Sequence, residues 1–341
     1  VEDVFGVVSV HNIPMLDAIG RRNYIKMIPA RGEMGAGHMA DGYARVKRGL
    51  GVVFTSTGPG AANVAGAIVE ARFSRSSVLH FTGQTATENI DKNQGTVHDV
   101  SDQLGMLSSI SKTALRIDKP EDVLEKLLDA VKIALTPPTG PVSIEIPIDI
   151  QRTVIKRPNN LEQIKIPSIE LKLGETSSID KIETIIKGSK RKLLWVGNGC
   201  KFARDEVEKF INMGFALVTS TQGRGVIPEN SHMSLGAFNA VPLIEEFYKT
   251  IDLMIVAGSR LRGHETRDMS LKLPDNIIQI DIDPKAENRT YKTDLFNCGD
   301  AKKVLGELSN RLSNQLTLEK EWENEISQLK NKILEDYKSN L

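Results

Sequence analysis

The residue whose position most invites chemistry is Glu33. It lies in Ala30-Arg31-Gly32-Glu33-Met34-Gly35-Ala36-Gly37-His38-Met39-Ala40-Asp41-Gly42-Tyr43-Ala44-Arg45, where an apolar run ends, a carboxylate follows and a helix opens with Gly and Ala on successive turns. Small residues let such a helix come close to a neighbour or a ligand, and a carboxyl group placed there is able to exchange a proton with whatever is held against it. An acid in a first helical turn is also favoured by the helix dipole alone, with no function attached. Two later turns combine small residues with amide side chains: Thr55-Ser56-Thr57-Gly58-Pro59-Gly60-Ala61-Ala62-Asn63 and Thr82-Gly83-Gln84. Their Gly-Pro-Gly run permits close backbone approach and fixes φ at the proline; the plainer reading is a helix-capping turn. Beyond Gln84, His98 falls in a loop, where an imidazole serves as donor or proton shuttle near neutral pH or simply as a satisfied surface residue.

The elements that must position these residues alternate. Residues 4–8, 25–29, 52–57, 78–83 and 142–147 are short β-rich runs, and 34–46, 61–73 and 120–134 have helical patterns between them. Such alternation predicts a buried parallel sheet with helices on both faces. Pro158, Pro167, a pair of asparagines and alternating Lys and Glu then break the periodicity, as a linker does. A second series follows, with strands predicted at 193–196, 216–220, 253–257 and 277–282 and helices at 205–213 and 242–250. The fold class expected is therefore α/β, with two doubly wound parallel-sheet domains. Beyond residue 310, Leu, Glu, Lys and Asn at helical spacing read as a solvated helix.

Composition narrows the partners. Forty-four basic side chains balance 44 acidic ones, so no overall field draws the 341-residue chain to nucleic acid or to an anionic membrane. Cys200 and Cys298 have neither disulfide-framework nor zinc spacing, and a reducing cytoplasm suits them. No apolar run approaches the roughly 20 residues needed to span a bilayer. The chain starts in an apolar run without Met, which reads as a trimmed N-terminus.

The segment around Glu33 closely resembles the pyrimidine-binding domain of thiamine-diphosphate enzymes of the acetolactate synthase and pyruvate oxidase group. There a Glu in a strand-to-helix turn precedes a GAxxMADGYAR-type helix, and TSGPGxxN and GQ turns follow in the order seen here. Val196-Gly197-Asn198-Gly199, the stretch 221–229, Gly258-Ser259-Arg260 and Ile280-Asp281-Ile282-Asp283-Pro284 resemble the central domain of the same group. The resemblance implies a pyrimidine-binding domain over 1–155, a linker over 156–180, a Rossmann-like central domain over 181–310 and a helical linker over 311–341 toward a missing diphosphate-binding domain. It implies that Glu33 hydrogen-bonds the aminopyrimidine ring nitrogen of thiamine diphosphate, and that Pro59, Asn63 and Gln84 line that end of the cofactor. Mg²⁺ would be held by the missing domain, through its Gly-Asp-Gly motif and a later Asn. Such an enzyme cleaves a 2-oxo acid, pyruvate being the first choice, and works at least as a homodimer or homotetramer; this chain alone would be inactive.

The pattern is departed from in places. Gly32 and Met34 flank Glu33 where His and Gln are frequent, His98-Asp99 fall where synthases carry a substrate-facing Phe-Gln, and Val7-Val8-Ser9-Val10 replace a Gly-x-Pro-Gly loop. The central domain leaves FAD, another nucleotide or no ligand open, with FAD less favoured because Leu261-Arg262-Gly263-His264-Glu265 replaces an Asp-rich turn. Arg260, Arg262 and Arg267 alternatively form a solvated basic surface. Other readings are a 2-oxo acid decarboxylase, a C–C hydrolase, or a non-catalytic nucleotide-binding module.

Overall fold

In the computed structural model, the described residues are 1–159, 161–166 and 168–339. Of the linker, Asn160 and Pro167 lie outside them. The chain divides into two units, Val1–Ile169 and Glu170–Leu341.

In the first unit, β1 (Asp3–Gly6), β2 (Lys26–Pro29), β3 (Gly51–Thr55), β4 (Val78–Gln84), β5 (Thr113–Arg116) and β6 (Val142–Pro147) form one sheet in the order β2-β1-β3-β4-β6-β5. Every pairing is parallel, for example Phe5 with Val53, Phe54 with Phe81 and Thr82 with Glu145. β3 and β6 are buried throughout. This is what near-continuous apolar runs become when helices cover both faces. The helices are α1 (Ile13–Arg22), α2 (Glu33–Lys47), α3 (Pro59–Asn63), α4 (Ala65–Ser74), α5 (Gln103–Ile110), α6 (Val123–Leu135) and α7 (Ile148–Arg152). The segment expected as one helix over 61–73 is broken at Val64, which ends α3 and precedes α4.

The small residues of α2 are explained by its neighbours. Ala36, Ala40 and Ala44 are buried at four-residue spacing, one ridge of the helix. A Cβ on Gly37 would come within 2.6 Å of Ala67 Cβ in α4, and one on Gly51 within 2.0 Å of the Ala40 carbonyl oxygen. Asp41, buried on the same helix, is held by Arg45 through two hydrogen bonds of 3.0 and 2.5 Å. Close packing of α2 thus fixes where its first residue, Glu33, stands.

In the second unit, β7 (Lys192–Val196), β8 (Phe215–Thr219), β9 (Leu253–Ala257), β10 (Ile277–Asp281) and β11 (Leu295–Cys298) form a parallel sheet in the order β11-β10-β9-β7-β8. It is flanked by α8 (Thr176–Gly188), α9 (Arg204–Asn212), α10 (Pro242–Tyr248), α11 (Ala301–Arg311) and α12 (Lys320–Ser339). The expectation of a solvated final helix is corrected here. Trp322, Ile326 and Ile333 of α12 are buried in the core. The Trp322 indole stacks on Phe247, lies under Arg191 and donates from Nε1 to the Gly214 carbonyl at 2.9 Å. Arg191 also grips Glu325 with bonds of 2.9 and 2.6 Å. The apolar residues of α12 are spaced for one stripe, which is why the charged remainder of its sequence reads as solvated.

Candidate active site

The first sheet changes direction between β1 and β3. From β1 the chain crosses to β2 on one side, then returns to β3 on the other and continues outward to β4. At such a point the loops leaving the carboxyl ends of two adjacent strands diverge, and open α/β sheets bind ligands in the crevice between them. The loops are tied across this point by the Ser9 and Ser56 hydroxyls, 2.6 Å apart.

Glu33 is the first residue of α2, after β2. Its Oε2 accepts a hydrogen bond of 3.3 Å from Asn63 Nδ2, and its Oε1 lies 3.2 Å from where a Cβ on Gly60 would sit. A side chain at Gly60 would therefore push against this carboxylate. The structure thus brings Glu33 and Asn63 together, half-exposed and exposed respectively, beside Pro59, which is exposed at the start of α3. A carboxyl group with one oxygen held by an amide, at the mouth of a crevice and over a bare backbone, suits a flat ring that presents a nitrogen to it.

Gln84 is placed differently. Its side chain is buried and committed inward: Oε1 accepts from the Thr85 amide at 2.7 Å and lies 3.2 Å from the Thr57 hydroxyl, and Nε2 donates to Glu145 at 3.0 Å. Glu145 in turn receives Arg116 Nε at 2.7 Å. A residue that the sequence reasoning missed stands beside it. Gln103 Oε1 accepts the Gly58 amide at 2.6 Å and the Thr57 hydroxyl at 2.8 Å, while its Nε2 donates to the Gly83 carbonyl at 3.1 Å. One side chain thereby joins both glycine turns. Only its place in the apolar helix α5 marked it in the sequence.

His98 sits over Gly58. Gly58 has φ of 54°, and a Cβ there would meet the His98 carbonyl oxygen at 2.3 Å and its Cβ at 3.0 Å. A second histidine, His11, not singled out from the sequence, sits over Gly83 in the same manner, 2.2 Å from backbone oxygen and 2.7 Å from Cβ to the position of an added methyl. The two imidazoles face each other at 5.7 Å between ring centres. The available signal was the place of His11 just past the carboxyl end of a strand.

At the corresponding edge of the second sheet, the loops after β7 and β9 close on one another. A Cβ on Gly197 would lie 2.4 Å from the Gly258 carbonyl oxygen, and one on Gly199 lies 2.7 Å from Gly258 Cα. This packing accounts for the glycines without a nucleotide. Of the neighbouring arginines expected to be solvated, Arg262 is instead largely buried, 3.6 Å from Glu265, whereas Arg267 is exposed and pairs with Glu245. Glu265 also accepts the Thr221 amide at 3.0 Å.

Both units match families of known enzymes. Residues 1–106 match the thiamine pyrophosphate enzyme N-terminal TPP binding domain, and residues 179–308 match the thiamine pyrophosphate enzyme central domain. The chain belongs to the thiamine pyrophosphate enzyme family. It is 30% identical over 321 residues to a probable acetolactate synthase large subunit of Methanocaldococcus jannaschii, covering 90% of this chain and 53% of that protein. It is 28% identical to the acetolactate synthase large subunit of Corynebacterium glutamicum, over 89% of this chain and 49% of that protein. A probable 2-ketoarginine decarboxylase of Pseudomonas aeruginosa is 28% identical over 92% of this chain and 56% of its own length. The chain thus spans about half the length of the curated relatives it matches. Among the described residues, no helix is long and apolar enough to cross a membrane.

Proposed function

We propose that the protein to which this chain belongs carries out thiamine-diphosphate-dependent cleavage and formation of a C–C bond on a 2-oxo acid, in the manner of acetolactate synthase. The single observation that carries this reading is the placement of Glu33, a carboxyl group over Gly60 and beside Asn63 at the switch point of the first sheet. The residues fit the pyrimidine end of the cofactor: Glu33 to hold and exchange a proton at the ring nitrogen, Asn63 to fix the carboxyl, and the Gly58-Pro59-Gly60 backbone to leave room for the ring. When bound, thiamine diphosphate supplies a carbon that becomes nucleophilic on loss of its proton and that stabilises the acyl carbanion equivalent. Gln84, in this reading, acts from behind the turn by holding Thr57 and Thr85 in place.

Oxygen ligands for Mg²⁺ and the diphosphate would come from outside these 341 residues, and the working form would be a homodimer or homotetramer. FAD is not needed to explain the glycines of the second unit. The 2-ketoarginine decarboxylase relative keeps simple decarboxylation as a second outcome. Product analysis with pyruvate separates the two.

The test is the rate of C2 hydrogen–deuterium exchange in bound cofactor, Glu33→Gln against parent, in the full-length protein. Gln keeps the shape and removes the exchangeable proton, so exchange and turnover should fall on the order of 10²-fold, with cofactor affinity changed much less. An unchanged exchange rate would reduce Glu33 to a helix-start acid.

A further inference from the structure

Three glycines at the carboxyl edge of the first sheet each lie under one residue able to do chemistry: Gly60 under Glu33, Gly58 under His98 and Gly83 under His11. The first of these belongs to cofactor binding as proposed above. The other two bring a pair of imidazoles together from different loops, 5.7 Å between ring centres and tilted by 41°.

His11 is 9% exposed, and its Nδ1 is a buried nitrogen without a hydrogen-bond partner. A buried polar atom left unpaired is costly, and a fold tolerates it where a ligand completes the bond. The backbone around it is firmly held: the His11 amide donates to Ser9 Oγ at 3.3 Å, and its carbonyl accepts Gln151 Nε2 at 2.7 Å. His98 is exposed, on the solvent side of the pair, and has φ of 66°, a left-handed conformation that histidine adopts more readily than most residues.

Burial opposes a positive charge on His11, and His98 and Arg152 of α7 oppose it further. Two carboxylates on the adjoining elements are engaged elsewhere: Asp149 of α7 takes the Thr87 amide and hydroxyl, and Asp102 caps α5 through the Gly105 amide at 2.7 Å. Asp99, next to His98, has its Oδ2 buried without a partner. His11 in this setting resists protonation until an anion arrives.

We propose that His11 and His98 form a two-imidazole seat for the carboxylate of the substrate, and that seating the anion is accompanied by uptake of one proton from solvent. His11 Nδ1 then donates to a carboxylate oxygen, the new positive charge is balanced by the anion, and His98 closes the solvent side. This rests on the reading that the substrate is a 2-oxo acid, but not on the role of Glu33.

The experiment uses oxamate, an unreactive 2-oxo carboxylate analogue, and its uncharged ethyl ester, on the full-length protein loaded with thiamine diphosphate and Mg²⁺. Titration calorimetry at pH 6.5 in two buffers of different ionisation enthalpy reads the protons taken up. Oxamate should bind with net proton uptake and more weakly as pH rises, by up to about tenfold per unit where one proton is linked; the ester should not bind. His11→Phe keeps the ring and should abolish the uptake and weaken oxamate about tenfold or more, while leaving C2 exchange in the cofactor at the parent rate. His98→Asn, which tolerates the left-handed backbone, should weaken oxamate and keep the near-ultraviolet circular dichroism of the parent. Oxamate binding without proton uptake, absent binding, or equal binding by His11→Phe would overturn the proposal. A loss of C2 exchange in His11→Phe would overturn it too, since the residue would then act on the cofactor. C2 exchange insensitive to Glu33→Gln would sink the cofactor reading and leave the oxamate result standing.

Discussion

The side-chain oxygen of Gln103 receives the amide proton of Gly58 over 2.6 Å, and the amide nitrogen of the same side chain reaches the Gly83 carbonyl at 3.1 Å. Both glycine turns of the candidate site therefore hang on one buried residue of α5. Gln103→Leu matches the volume but leaves the Gly58 amide, the Gly83 carbonyl and the Thr57 hydroxyl to find other partners. We expect a loss of about 2 to 4 kcal/mol, read as a lower urea midpoint with an unchanged slope. A midpoint within error of the parent would show that these groups reach water or one another without cost.

Gly60→Ala tests the spacing under Glu33. The added methyl would stand 2.7 Å from Ser56 Cβ and 3.2 Å from Glu33 Oε1, so either the turn or the carboxyl must move. Because displacing a catalytic group by about 1 Å can cost up to roughly 10²-fold, C2 exchange in the full-length protein should slow by about ten- to a hundredfold. Exchange at the parent rate would mean that the carboxyl is placed by something other than this contact.

His80 makes the first unit sensitive to acid. It is wholly buried on β4, between the Thr55 hydroxyl at 2.9 Å and the Ser143 hydroxyl at 3.0 Å, and burial lowers its pKa from 6.5 to about 3. Below pH 6.5 the unfolded chain takes up a proton that native His80 refuses. Its contribution is therefore fully present above 6.5 and drains away as the pH falls toward 3, at up to about 1.4 kcal/mol per unit. In His80→Gln, stability from urea melts at pH 7.5, 6.0 and 4.5 should decline less steeply with acid than in the parent. Parallel declines would place the acid sensitivity in the carboxylates alone.

Trp322 tests whether α12 belongs to the second unit energetically as well as geometrically. Trp322→Ala removes the stack on Phe247, the surface under Arg191 and the bond to the Gly214 carbonyl. A cost of about 3 to 5 kcal/mol is expected, seen as a lower thermal midpoint for unfolding of this unit. A shift of less than a degree would return α12 to the status of a loosely attached helix.

What the sequence disclosed follows from burial. Strands buried on both faces, such as 253–257, stand out as apolar runs and match Leu253–Ala257 residue for residue. The edge strand β5, Thr113–Arg116, is half-buried along its length and carries no such run, and β11 is mixed in the same way. Glu33 was legible because its surroundings are local, a strand end and a helix of small residues. His11 and Gln103 were not, because each acquires its role from a glycine far along the chain, Gly83 or Gly58, that only the folded sheet brings beneath it. The docking of α12 was hidden for a related reason: its partners Arg191, Gly214 and Phe247 lie in three separate segments.

The all-parallel order of the first sheet also sets a timetable. Phe5 must meet Val53 and Leu79 must meet Val142 before any of these strands is flanked on both sides, and each such meeting closes a long loop of chain before it gains a contact. Topologies of this kind assemble slowly compared with helical bundles. The crevice between β1 and β3 is made of strands that come together only through such closures, so Glu33, His11 and His98 converge late during renaturation. A nascent or partly refolded chain presents helices and collapsed apolar segments well before it presents a place for a ligand, and ligand capture then reports that the whole sheet has closed.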